Sequence, residues 1–426
     1  MLLVEEKEIP INIELINMRS YGDKPQAFLR KIPNGLLPAI EVQGQVVTES
    51  QVIMELLDEW FPESEGYKRM QPKPEDTVGM EKYQRLARLE RELFSWWCTV
   101  VFRPERGGGP LAALTGGGGK SAALDGFLEC MKQVDGYLLE TKGPWFFDEF
   151  DHPTMIDFIY VSHVERMLAS LAFWKGVNLR DPKYNFRGLV RWLEAFEKRE
   201  AYLAFKSDYY THVMDIPPQY GPGYDGGFEK ERKQFAASIT GTDGKSWHLP
   251  LSHDDSLEPL YKGPPLPLCV LKAMDLHASQ EDGSYEGCDP AVMAKACRFM
   301  AAWKLSGNGD KVAKFAARGG PQGSKNPRKT FSAPLADPYA ESDMDIQPAV
   351  DAALRVVCTA LLQTDDVMPS EETTQTLLAA VPREQADGVA SSLAYLRDRV
   401  GVPRDLPLAS ARYLRAYLNW GIDTLK

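Results

Sequence analysis

A proline directly ahead of a strand, at Leu37-Pro38, constrains the fold of this chain more than any other feature. Proline has no amide donor, so it is confined to strand starts and sheet edges, where neighbouring backbone groups stay free to pair with an extended ligand. The alternating run 39–42 follows, Gly44 supplies a tight turn, and a second apolar run leads to a helix through Trp60 that opens on Glu49 and Ser50. Unpaired amides at a helix start and a hydroxyl suit a ligand carboxylate, while the Glu49 carboxylate suits an ammonium. An amino acid or a γ-glutamyl peptide carries both groups on one carbon. Taken singly, Glu49-Ser50 also reads as a plain helix cap and Leu37-Pro38 as a plain strand start.

Together with Glu5-Glu6-Lys7-Glu8-Ile9-Pro10 and Tyr21-Gly22-Asp23-Lys24-Pro25 upstream, this segment resembles the amino-terminal domain of the glutathione transferases. The resemblance implies a thioredoxin-like fold that binds glutathione as co-substrate. It further implies a cis bond at Pro38, backbone pairing of Leu37 with the cysteinyl part of glutathione, and a grip by Glu49 and Ser50 on the γ-glutamyl end. In the cysteine-type classes, such as omega and dehydroascorbate reductase, a lysine before the second helix's proline meets the glycyl carboxylate, and Lys24 stands there.

Those classes carry their nucleophile in a Cys-Pro-x-Cys segment ahead of the position of Met1, and no Cys-x-x-Cys occurs in this chain. Residues 1–7 read as the end of an amphipathic helix and residues 11–15 as a strand. The resemblance thus implies an incomplete thioredoxin-like domain without its first strand, and no catalytic residue within 1–426. In full-length form the expectation is an enzyme, a glutathione-dependent thiol transferase or reductase of cysteine type.

The chain has 426 residues, enough for about two to four domains. No run approaches the roughly 18 apolar residues of a spanning helix, so no membrane partner is expected. With 49 basic against 60 acidic residues the net charge is -11, which disfavours nucleic acid as a partner. The cysteines Cys98, Cys130, Cys269, Cys288, Cys297 and Cys358 are scattered as in a reducing compartment. The expected location is the cytoplasm, or a plastid if a transit peptide precedes the chain.

Residues 80–102 place Tyr83, Leu86, Leu89, Leu93, Trp96 and Trp97 at helical spacing. In the family's fold this helix lines the second-substrate pocket, to which Phe94, Trp96 and Trp97 are assigned, with Cys98 as an inert thiol. The glycine-rich stretch 103–121 reads as a loop. Its Gly119-Lys120-Ser121 fails as a phosphate loop, because the first glycine position falls at Leu114 and a helix precedes it. Thr154 and Asp157 have the spacing of a capping box that starts a central helix, and Trp192 belongs to a closing helix.

The break at 216–227, rich in proline and glycine, separates a third region with helical patterns at 291–305, 310–318, 349–362, 370–381, 383–400 and 408–425. The fold class is therefore α/β plus all-α: a thioredoxin-like domain over 1–65, an all-helical transferase domain over 78–212, and a mainly helical extension over 228–426. A carboxy-terminal extension on a cysteine-type core resembles the iota class. His248, His253, Cys269, His277, Cys288 and Cys297 lack zinc-type spacing, and no metal is expected. The implied partners are glutathione and a small electrophile, disulfide or oxidised substrate, with a homodimer allowed. The alternative is a non-catalytic glutathione-binding or protein-interaction scaffold, as in elongation factor 1 gamma, although that protein uses a Lys-rich linker where this chain has Pro217 to Gly227.

Overall fold

The computed structural model describes residues 1–14, 16, 25–104, 122–203, 205–244, 247–251, 290–323, 341–363 and 368–426. They form two compact units, one of residues 1–167 and 178–205, the other of residues 168–177 and 206–426.

The first unit opens with α1 (Leu2–Glu6) and α2 (Gln26–Lys31), the latter begun by Pro25. Then comes a hairpin of β1 (Ala39–Val42) and β2 (Gln45–Thr48), antiparallel, with Ala39 opposite Thr48 and Val42 opposite Gln45. Its two-residue turn has Gln43 at φ 51° and Gly44 at φ 81°, the pair of left-handed residues whose twist matches that of a hairpin. Among the described residues this two-stranded sheet is the whole of the β structure. Residues 11–14, expected to begin a strand, form none. A strand exists only through a pairing neighbour, and no described segment pairs with this one, so Ile11 and Ile13 remain exposed.

Helix α3 (Ser50–Trp60) turns Ile53 and Leu57, four apart, into the core. Helix α4 (Thr77–Phe102) starts three residues earlier than its apolar pattern, because Asp76 caps it by accepting the Gly79 N–H at 2.9 Å. Its stripe of Tyr83, Leu86, Leu89, Leu93 and Trp97 is buried. Next come α5 (Ala122–Leu139), α6 (Met155–Lys175), α7 (Arg187–Phe196) and α8 (Glu200–Leu203).

The Thr154–Asp157 box does more than start α6. The Thr154 N–H and hydroxyl donate to one Asp157 oxygen at 2.8 and 2.7 Å, and the other oxygen accepts the Trp192 Nε1–H at 2.8 Å. The fully buried carboxylate thereby ties the start of α6 to α7. Gly188 lets α7 approach α5, since a Cβ there would stand 2.7 Å from the Asp135 carbonyl oxygen.

The second unit takes residues 168–175 of α6, followed by α9 (Tyr209–Asp215), α10 (Pro217–Tyr220) and α11 (Glu229–Thr240). The stretch 216–227, expected as a plain break, folds back on the end of α6. The Gly226 N–H donates to the Trp174 carbonyl at 3.0 Å and the Phe228 N–H to the Lys175 carbonyl at 2.9 Å. Gly176 and Gly227 both sit at φ 67°, and a Cβ on either would lie 2.3 Å from a carbonyl oxygen. The remaining helices are α12 (Pro290–Ser306), α13 (Gly309–Ala316), α14 (Gln347–Leu362), α15 (Glu371–Ala380), α16 (Ala386–Arg397) and α17 (Leu408–Leu425). Val350, Val357, Leu377, Leu393 and Leu418 meet in their shared core.

Arg415 is buried completely in this unit and pairs with Asp208 at 2.6 Å. Its guanidinium lies 4.8 Å from the Tyr210 ring and 4.9 Å from the Trp247 ring, and it donates to the Val400 carbonyl at 2.7 Å. Among the described residues no helix is long and apolar enough to cross a membrane.

Candidate functional site

The peptide bond between Leu37 and Pro38 is cis. Leu37 is exposed, and its N–H and C=O find no partner among the described residues. Strand β1 pairs with β2 on one side, and its other edge meets no described strand. The register that sets Ala39 opposite Thr48 brings Leu37 and Ser50 to the same end of the hairpin.

Glu49 has φ 71° and ψ 111°, a backbone conformation that side-chain-bearing residues rarely adopt and that costs on the order of 1–3 kcal/mol. It precedes α3 without capping it: no side-chain hydrogen bond reaches back to the helix. The plain-cap reading of Glu49-Ser50 therefore fails. The first intrahelical donor is Ile53, bonded to the Glu49 carbonyl at 3.0 Å, which leaves the amides of Ser50, Gln51 and Val52 ahead of the hydrogen-bond ladder. Both Glu49 and Ser50 are exposed, with no side-chain partner among the described residues. An acceptor, a hydroxyl and uncapped donors thus gather at one end of the hairpin.

A buried ionic network anchors α3. Lys7, with a fully buried side chain, pairs with Asp58 at 2.6 Å and donates to the Lys68 carbonyl at 2.6 Å; Asp58 also accepts the Met70 N–H at 3.2 Å. Its neighbour Glu6 receives Lys68 at 2.8 Å and both Nε and Nη2 of Arg199. Buried charges are tolerated only when paired and hydrogen-bonded, and both conditions hold here. The sequence hinted at this network only through the charges of Glu5-Glu6-Lys7-Glu8 beside apolar Leu3 and Val4.

The other assigned residues divide. Lys24 lies outside the described residues, although Pro25 does begin α2 as expected. Phe94 is half-buried and 5.4 Å from Trp97, which is wholly buried and meets Phe102 edge-on at 5.2 Å. Trp96 turns instead toward α5, packed so closely on Gly126 that a Cβ there would be 2.7 Å from its ring. The structure thus puts Phe94 and Trp97 together and Trp96 on another face. Cys98 is half-buried; burial pushes its thiol up, with Arg103 opposing weakly.

A pair that sequence reasoning missed sits beside Phe94. Glu90, buried on α4, meets His163 of α6 at 2.5 Å. A charged residue inside the apolar stripe of Leu86, Glu90, Leu93 and Trp97 was the signal that could have exposed it.

Among the described residues no three His, Cys, Asp or Glu side chains gather to hold a metal ion. His253, Cys269, His277, Cys288 and the Gly119-Lys120-Ser121 segment lie outside the described residues.

Comparison with known proteins bears on the hairpin end of the chain. Residues 1–60 match the family model described as glutathione S-transferase, N-terminal domain. The chain is 43% identical over 63 residues to glutathione S-transferase DHAR2 of Arabidopsis thaliana, covering 15% of this chain and 28% of that protein. It is 40% identical over 65 residues to pyrimidodiazepine synthase of Drosophila melanogaster, covering 14% and 26%. Against glutathione S-transferase DHAR3, chloroplastic, of Arabidopsis thaliana the figures are 32% over 63 residues, 15% and 23%. The chain therefore spans about a quarter of the length of the curated relatives it matches.

Proposed function

We propose that the hairpin end of the first unit binds glutathione in extended form. The Leu37 backbone takes the cysteinyl part, Glu49 takes the γ-glutamyl ammonium, and Ser50 with the uncapped amides of α3 takes the neighbouring carboxylate. Lys24 serves the glycyl carboxylate. The observation that carries this reading is Glu49: a strained backbone holds an unpartnered carboxylate at an uncapped helix start, beside the unpaired amide of Leu37. The similarity of residues 1–60 to glutathione transferase domains supports it independently.

The activity such a site would serve is that of a glutathione-dependent thiol transferase or reductase of cysteine type, whose nucleophile segment is absent from residues 1–426, with Phe94 and Trp97 on the second-substrate side. Residues 228–426 are the extension that fits the iota class. The relative whose name includes the word chloroplastic supports a plastid location.

Isothermal titration with glutathione tests the binding. Each of Glu49→Gln and Ser50→Ala is expected to weaken it about tenfold, the loss of one charge-assisted hydrogen bond. Absence of heat with the unaltered chain, or equal affinity in both variants, would refute the reading. Turnover gained by joining a Cys-Pro-x-Cys strand and helix start to residue 1 would separate the enzyme from a mere glutathione binder.

A further inference from the structure

The Glu90–His163 pair has the construction of a proton-transfer site. The Glu90 carboxylate is buried, with 2% of the residue exposed, and its Oε1 lies 2.5 Å from His163 Nδ1. An ionised carboxylate accepts hydrogen bonds and cannot donate them, so the proton of the neutral imidazole sits on Nδ1 and the lone pair on Nε2. That second nitrogen has no partner among the described residues and reaches solvent, since the His163 side chain is 26% exposed and Nε2 is absent from the buried, unpartnered atoms. A buried carboxylate thus orients a histidine and leaves its second nitrogen accessible.

Two neighbours define what could approach. The half-buried Phe94 ring stands 4.8 Å from the imidazole at an angle of 52°, an apolar wall beside the base. Arg91, largely exposed, holds its Nε 3.9 Å from Glu90 Oε2 and puts positive charge nearby, where an anion would be steadied. A histidine that only satisfied Glu90 would need neither an accessible second nitrogen nor an aromatic wall.

We propose that Glu90 and His163 form a proton-accepting site for an aromatic or otherwise planar ligand bearing a weakly acidic hydroxyl, its ring against Phe94. In the step, the ligand's O–H bond breaks and the proton binds Nε2. The electron pair stays on the ligand oxygen, and the imidazolium is neutralised by Glu90 through the existing Nδ1–H bond. Nothing is oxidised or reduced. The proposal shares Phe94 with the second-substrate side of the proposed function but uses no residue of the hairpin, so it stands whether or not glutathione binds there.

The probe is 4-nitrophenol, whose ionised form absorbs visible light and so reports proton transfer directly. The chain, without glutathione, is titrated at neutral pH, above the ordinary imidazole value of about 6.5, and the band is read as the excess over the free probe at the same pH. The expected result is a saturable visible band that His163→Phe abolishes and Glu90→Gln reduces at least tenfold. No saturable band with the unaltered chain, or an undiminished band in His163→Phe, would overturn the proposal. Glu90→Gln disturbs a buried position, so its melting curve is recorded alongside. The half-exposed His163 variant decides the matter on its own. A second readout is the nitrogen NMR spectrum of the imidazole in the free protein: a lone pair on Nε2 is required, and a lone pair on Nδ1 contradicts the assignment.

Discussion

Asp208 shows how a single buried residue sets the acid behaviour of the second unit. Burial alone would raise its carboxyl, but the Arg415 charge and hydrogen bonds from Arg415 and Thr211 outweigh burial and hold it below the ordinary range. A folded-state value below the unfolded one means that the unfolded chain takes up the proton first as pH falls. The stabilisation is therefore full above the ordinary carboxylate value of about 4 and is lost as pH drops through the lower folded value. Arg415→Met should cost about 3–5 kcal/mol at neutral pH, because it leaves Asp208 charged, buried and unpaired. In that variant only the Thr211 hydrogen bonds oppose burial, the largest influence, so acidification from neutral pH toward about 4 should cost less stability than it costs the unaltered chain. Urea unfolding of the second unit at several pH values checks both signs. Neither partner was visible in the sequence. The two residues lie 207 positions apart, and nothing in local spacing announces such a pair.

At the scale of elements, glycine placement decides how α6 ends. Gly176 and Gly227 both need left-handed backbone and both press against carbonyl oxygens, so the two strands of that connection close on each other only without side chains. Gly227→Ala should cost at least about 1–2 kcal/mol for the backbone conformation alone, with the 2.3 Å approach to the Lys175 carbonyl adding to it. Thermal melting of that variant beside Gly244→Ala provides the comparison, since Gly244 shares the positive φ but faces open space. Helices were readable wherever an apolar face repeats: the stripes of α4 and α17 announced themselves, and Asp76 merely moved the start of α4 by three residues. The hairpin was readable too, because Pro38 and Gly44 punctuate it. What failed was 11–14, whose alternation resembles a strand although pairing depends on a distant neighbour that local pattern cannot supply. Trp96 parts from Phe94 and Trp97 for a related reason: adjacent residues on a helix point about 100° apart, and Trp96 packs on Gly126 of α5.

For the whole molecule, the described thiols Cys98, Cys130, Cys297 and Cys358 are unpaired, and burial raises all four, Cys130 and Cys297 to about 12. At neutral pH those two hold roughly a thousandfold less thiolate than an ordinary cysteine. Iodoacetamide should therefore leave Cys130 and Cys297 untouched in the native chain and modify them once denaturant is added, as peptide mass spectrometry would show. Rapid native labelling of either would contradict their burial. The proposed glutathione site was the most visible part of the candidate function, since Leu37, Pro38, Glu49 and Ser50 fall within fourteen consecutive positions, with Lys24 upstream. Glu90 and His163 lie 73 positions apart on two helices, so no local spacing announces the pair. The second unit claims residues 168–177, which lie within and just after α6, as well as everything from 206 onward. Protease nicking or gene shortening at any one point then strands a piece of one body on the fragment that carries the other. Circular rearrangement cures nothing, because the four segments still alternate around the ring, and parting the two bodies takes cuts after 167, 177 and 205 together.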